Sequence, residues 1–239
     1  MPRLPQNIQR LLDAFVTELD ATLDDAFVGI FLYGAAMFPP SSITDFDAHV
    51  IVRTPFTDDD RARVNGMIDR IVASHDLERG YLDVWYVTEA AMRSHAQPQT
   101  ELRPGFRDEH WAIHRAHWHA GRTVIVRGPD PRELVPPPTW QELDDDLQDA
   151  LEDAAKHTNA YGTLNLCRVL KSYEMRDVVT SKYHSALWTL GFLDAEHHAI
   201  VRNALDAYER HEPGAGVGSD GFRDLMLSKV KRARELVAG

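Results

Sequence analysis

Two aspartates separated by one residue, Asp45 and Asp47, stand at the head of the run FDAHVIV, residues 46–52. Period-two spacing on a strand points both carboxylates to one face. Like charges held side by side repel, so such a pair needs a divalent cation. Mg²⁺ suits it, because that ion takes oxygen ligands and keeps positions for water and phosphate oxygens. Asp83, near the start of YLDVWYV (81–87), would add a third carboxylate from a neighbouring strand. Three such groups can hold two ions and clamp an in-line phosphoryl or nucleotidyl transfer. A lone D-x-D is common in an acidic chain and serves as readily for loop capping. The order strand, Gly34, loop, D-x-D, strand, helix, strand with an acid favours the metal site.

The elements that must position these groups follow from periodicity. Ile8, Leu11, Leu12, Phe15, Val16, Leu19 and Leu23 lie at helical spacing. VGIFLY (28–33) is a short apolar strand ending at Gly34, and 46–52 becomes wholly apolar, as a buried strand does. Thr57 opens a helix with three aspartates in its first turn and Val64, Met67, Ile68 and Ile71 on one face. Residues 81–87 and 123–128 read as further strands, with a helix-like stretch around 108–120 between them. GPDPRELVPPPTW (128–140) holds five of the chain's 13 prolines and reads as a linker. Beyond it, 139–159, 161–174, 177–191, 194–211 and 221–238 read as helices, with 212–221 as a loop. The expectation is an α+β chain: a mixed-sheet domain over 1–136 and a helical bundle over 137–239.

Composition narrows the partners. The 239 residues carry 26 basic and 37 acidic side chains, a formal charge of −11, which opposes a nucleic-acid duplex as the main partner. No apolar run is long enough for a transmembrane helix. MPRLPQNIQRLLDAF is amphipathic from the outset and does not read as a signal peptide. The single cysteine, Cys167, excludes an internal disulfide, fits a reducing cytoplasm, and is most simply a small buried side chain. A monomer is expected. Segment 139–160 sets seven carboxylates against one Lys156. This is either a solvated helix face or a cation-attracting wall facing the other domain.

GAA…TDFDAHVIV resembles the signature of the polymerase-β-like nucleotidyltransferases, a Gly-Ser pair followed by D-x-D on the next strand. LDVWYV, TVIVRGPDPRELV, LNLCRVLKS and DVVTSKYHSALW are similar, in that order, to blocks of the aminoglycoside 3″(9)-adenylyltransferases. Those enzymes move AMP from ATP to a hydroxyl of streptomycin or spectinomycin and confer antibiotic resistance. The resemblance implies that Asp45 and Asp47 bind Mg²⁺ and the ATP phosphates. It implies that Asp83 shares the metal and acts as catalytic base, and that ATP lies between the domains. Gly34, Ala35 and Ser42 would line the ATP phosphates, and Arg168 and Lys182 would reach them from the helical half. The last two also make sense alone: a basic residue within an apolar periodicity needs a partner, which a triphosphate or an internal carboxylate would supply.

The chain departs from the family's pattern at three places. Gly34-Ala35 replaces Gly-Ser, leaving Ser41 or Ser42 to supply a hydroxyl. Asp83 stands where these enzymes carry Glu. No carboxylate stands near Thr158, where the family has an acid for streptomycin, so neutral Asn159 and Tyr161 would meet a different acceptor. The expected partner is a cationic small molecule. Alternatives are another acceptor, such as a protein side chain, and a nucleotide-binding pseudoenzyme. His110, His114 and His117 have the spacing for one helix face, yet no Cys or H-E-x-x-H pattern accompanies them, so a zinc site there is the weaker reading. Trp111 and Trp118 read as packing residues.

Overall fold

The computed structural model describes residues 4–39, 45–77 and 81–238. They divide into two compact units, Met1–Met37 with Ile43–Pro138, and Phe38–Ser42 with Thr139–Gly239.

The first unit is built on a four-stranded mixed sheet. Helix α1 (Gln6–Leu23) leads into β1 (Phe27–Leu32), a 3-10 turn (Gly34–Met37) and β2 (Phe46–Val52). Helix α2 (Asp58–Ser74), β3 (Leu82–Thr88), the short α3 (Glu89–Met92), α4 (Trp111–His119) and β4 (Val124–Arg127) follow. The strand order is β3-β2-β1-β4, with β2 and β3 parallel and β1 antiparallel to both of its neighbours.

Strand alternation sorts the side chains onto two faces. Phe46, Ala48, Val50 and Val52 of β2 join Ile30 and Leu32 of β1 against Leu12, Phe15 and Leu19 of α1 and Val64, Met67 and Ile71 of α2. The opposite face collects Phe31, Tyr33, Ile51 and Val87 with Trp111 and Trp118 of α4. Asp47 and His49 fall between Asp45 and Ile51 in this second set of alternate positions, so the acidic pair belongs to the α4 face.

Helix α2 starts sharply because Thr57 and Asp60 cap it reciprocally. The Asp60 amide donates to Thr57 Oγ1 at 3.2 Å, and the Thr57 amide donates to Asp60 Oδ2 at 2.9 Å. The Thr57 hydroxyl, which donates to Asp60 Oδ2 at 2.7 Å, then the Thr57 amide and Arg63, bring the Asp60 carboxyl down to about 2.

The proline-rich stretch is more ordered than its composition implies. Asp130 caps a four-residue helix, α5 (Pro131–Leu134), with Pro131 at a starting position where a missing N–H costs nothing. Leu134 and Val135 are buried in the aromatic core of the first unit. This stretch therefore packs instead of linking freely.

The second unit is helical: α6 (Trp140–Ala155), α7 (Ala160–Met175), α8 (Lys182–Phe192), α9 (His198–Glu209) and α10 (Asp220–Ala238). Helix α7 is central and packs against the other four. It runs nearly buried from Ala160 to Tyr173, and even its polar Thr163, Asn165 and Ser172 lie inside the bundle. The helix expected over 177–191 begins five residues late. Arg176 takes a left-handed conformation, φ 50°, and closes α7, while Ser181 caps α8 by accepting the His184 amide at 3.2 Å. Residues 177–181 are consumed in turning between the two caps. No helix among the described residues is long and apolar enough to cross a membrane.

Candidate active site: three carboxylates beside a histidine pair

Asp47 and Asp83 stand directly opposite each other in the parallel register of β2 and β3. Asp45 precedes β2 by one residue. The three acids therefore lie at the same end of the sheet, where two parallel strands begin. The β1 chain end is drawn in by the Tyr33 amide, which donates to the Asp47 carbonyl at 3.2 Å. Gly34 follows with φ +71°, a conformation L side chains rarely adopt. A Cβ there would fall 1.7 Å from Asp47 Oδ2, so only glycine lets the chain pass the carboxylate.

The field at this end of the sheet is strongly negative. The Tyr33 phenol is pushed well above its ordinary value, first by burial and then by Asp47, Asp83, Asp108 and Asp45. Tyr81 is raised for the same reasons, burial first, then Asp45 and Asp47. Asp83 keeps an exposed edge, yet the desolvation of its carboxyl raises its pKa, with Asp45 and Asp108 adding to the effect and His114 and Arg103 opposing it. Three acids sharing one anionic surface, one of them already pushed toward its protonated form, make a donor set that fits a hard dication such as Mg²⁺.

One pleat further along β2 lies a group that helix periodicity did not assemble. Asp108 Oδ2 accepts from His114 Nδ1 at 2.8 Å and from His49 Nε2 at 3.1 Å. Their side chains are 16%, 0% and 1% exposed for His114, His49 and Asp108. Burial opposes charge on Asp108, but the His114 charge and the two imidazole hydrogen bonds hold its carboxyl far below the usual range. His114 is burdened by burial and still raised, because Asp108 faces it and Asp47 and Asp83 lie beyond. His49 is lowered, burial outweighing Asp108. Tyr33 packs against both rings, 4.6 Å from His114 and 5.1 Å from His49.

The helical-face grouping of His110, His114 and His117 does not form. His110 precedes α4 at its cap, His117 is buried, and His119 Nε2 meets the Val135 carbonyl at 3.0 Å. His49 and Asp108 were missed because they lie 59 residues apart on different elements. Trp111 and Trp118 are packing residues, both essentially buried with rings 5.4 Å apart. Ala35 lies in the turn after Gly34 without a hydroxyl to offer, and Ser42 falls outside the described residues.

In the helical unit, Arg168 is half-buried on α7 and Lys182 is the first residue of α8. Both come close to Tyr161. The Lys182 ammonium lies 5.1 Å from the Tyr161 ring centre and 5.8 Å from that of Tyr208. Arg168 acts on the Tyr161 phenol, which burial and its bond to Asp153 raise overall. Tyr161 Oη donates to Asp153 Oδ2 at 2.9 Å, which ties α7 to a carboxylate of α6. Asn159 is occupied as the α7 cap, accepting the Gly162 amide at 3.0 Å. Other acids of the 139–160 run have structural partners: Glu142 caps α6, Asp146 is buried, and Asp144 takes the Arg234 guanidinium at 2.7 and 2.9 Å. Cys167 is inert, its thiol pushed up to about 12 by burial.

A mixed sheet with three carboxylates at one end leads, in one chain, into a helical bundle. Residues 136–226 match the family model for the C-terminal domain of aminoglycoside adenylyltransferases. Among solved structures, the chain is similar to spectinomycin adenyltransferase AAD(9) from Enterococcus faecialis, in a structure with ATP and spectinomycin. The TM-score is 0.70 at 16% identity, over 93% of this chain and 99% of that one. No curated protein sequence matches the chain. The α+β fold and the resemblance read from the residues are thereby borne out.

Proposed function

We propose that this chain is a Mg²⁺- and ATP-dependent adenylyltransferase that transfers AMP to a hydroxyl of an aminocyclitol antibiotic of the spectinomycin type. The observation that carries the reading is the register of Asp47 against Asp83, with Asp45 adjacent, in a chain whose helical half matches the adenylyltransferase C-terminal domain. Asp45, Asp47 and Asp83 are the residues that would hold Mg²⁺, which supplies positive charge to the polyphosphate. The acceptor hydroxyl attacks the α-phosphorus, the bond to the β-phosphate oxygen breaks, and pyrophosphate leaves. Asp83 takes the hydroxyl proton as general base. Gly34 keeps the backbone clear of Asp47, and Arg168 and Lys182 neutralise the triphosphate. Asp153, held by Tyr161, offers a carboxylate to a cationic acceptor.

Purified protein incubated with ATP, Mg²⁺ and a panel of aminoglycosides and aminocyclitols should yield a product heavier by one AMP unit. Absence of such a product across the panel contradicts the acceptor class. Absence of metal-dependent ATP binding contradicts the mechanism. A second reading, a protein side chain as acceptor, draws support from Leu187 and Phe192, which are exposed on α8. AMP labelling of lysate proteins with no antibiotic product would favour it.

A further inference from the structure

We infer that His49, Asp108 and His114 form a binding site for one transition-metal dication of the zinc type, distinct from the carboxylate site and independent of its function. Their three ligand atoms all lie within 4.8 Å of one another, and both imidazole nitrogens converge on the same carboxylate oxygen. Zinc holds nitrogen and oxygen ligands at about 2.0–2.2 Å in a tetrahedron, which puts ligand atoms roughly 3.3 Å apart. The two histidine–aspartate separations, 2.8 and 3.1 Å, are already close to that spacing. A cation that takes both nitrogens would meet Asp108 Oδ2, the oxygen to which both now bond, as its third ligand. Two imidazoles and one carboxylate form a set that prefers zinc or cobalt to Mg²⁺ and leaves a fourth position for water.

The surroundings point the same way. Tyr33, in contact with both imidazoles, experiences four carboxylates at once, Asp45, Asp47, Asp83 and Asp108. A dication here would be attracted by that whole group and would displace the imidazole protons that now bridge to Asp108. His49 and Asp108 are shut from solvent, so a bound ion would be retained, while the partly exposed His114 offers the way in.

The test is cobalt titration of the purified, chelator-stripped chain, followed by visible d–d absorption and metal content. It is run in wild type and in a D45N/D47N variant that lacks the carboxylate site. The expected result is one Co²⁺ per chain with the strong absorption of four-coordinate cobalt in both, any further Co²⁺ in wild type being weakly absorbing and lost in D45N/D47N. H114Q and D108N should each weaken binding by at least the about 10–100-fold that loss of a supporting group costs. Circular dichroism identifies variants that have lost their fold. Should D108N unfold, H114Q, which alters the partly exposed member, decides. The proposal is overturned by no stoichiometric cobalt, by binding that survives H114Q, or by binding that disappears in D45N/D47N alone.

Discussion

Burial disfavours the charged form of a carboxyl and so makes it a readier proton acceptor, and neighbouring acids add to that effect. Asp83 is in that position, raised by desolvation and by Asp45 and Asp108. Removing its charge while keeping its shape should therefore separate binding from chemistry. Asp83→Asn is expected to lower kcat by about 10²–10⁴-fold, the range for a lost general base. The KM for ATP should change far less, as steady-state kinetics will show. Gly34 sets a second residue-scale limit. Gly34→Ala would drive a methyl group into Asp47 at a backbone angle alanine disfavours. It should destabilise the fold by about 1 kcal/mol or more and depress turnover through the displaced carboxylate. Thermal melting and rate measurements on one preparation check both effects.

At the scale of elements, what positions the site is strand alternation and firm helix starts. Thr57→Ala removes the side-chain cap of α2, the helix that covers one face of the sheet, and should cost about 1 kcal/mol. For a chain of this size that corresponds to a melting temperature lower by about 2–4 °C. The strands, α2 and the acidic pair were legible in the sequence because period-two and period-3.6 patterns carry local information. The pairing of Asp47 with Asp83 was anticipated as neighbouring strands, whereas its register comes from tertiary structure. The histidine pair was not legible, because His49 reads as one polar residue in an apolar strand and its partner Asp108 lies in a loop. The start of α8 was misplaced because β-branched Val178, Val179 and Thr180 continue an apolar pattern while the Arg176 and Ser181 caps break the chain. The short α5 was hidden by its prolines, although Asp130 before Pro131 is itself a helix-start signal.

For the whole molecule, the charge of −11 is less uniform in purpose than its total implies. Some of the acidic run is structural: Asp144 joins α6 to α10 through Arg234 and also accepts from Tyr173 Oη. The Arg234 hydrogen bond, with Tyr173, holds the Asp144 carboxyl below its ordinary value against burial. Its contribution to stability is therefore present above about pH 4 and is lost as pH falls through the lowered folded value. Wild type should be more stable than Asp144→Asn at neutral pH, and the two should converge in acid, as denaturant unfolding across pH will show. A constant gap down to about pH 2 would mean that the carboxylate charge is not what joins the helices.

The three-carboxylate site is the centre of the account, and acceptor-dependent pyrophosphate release tests it most directly. With ATP, Mg²⁺ and spectinomycin, wild type should release pyrophosphate in step with an AMP-bearing product, and Asp47→Asn should do so at a rate lower by two orders of magnitude or more, about the loss expected when a charge-stabilising group is removed. Release that needs no acceptor, or that continues undiminished in Asp47→Asn, would contradict it.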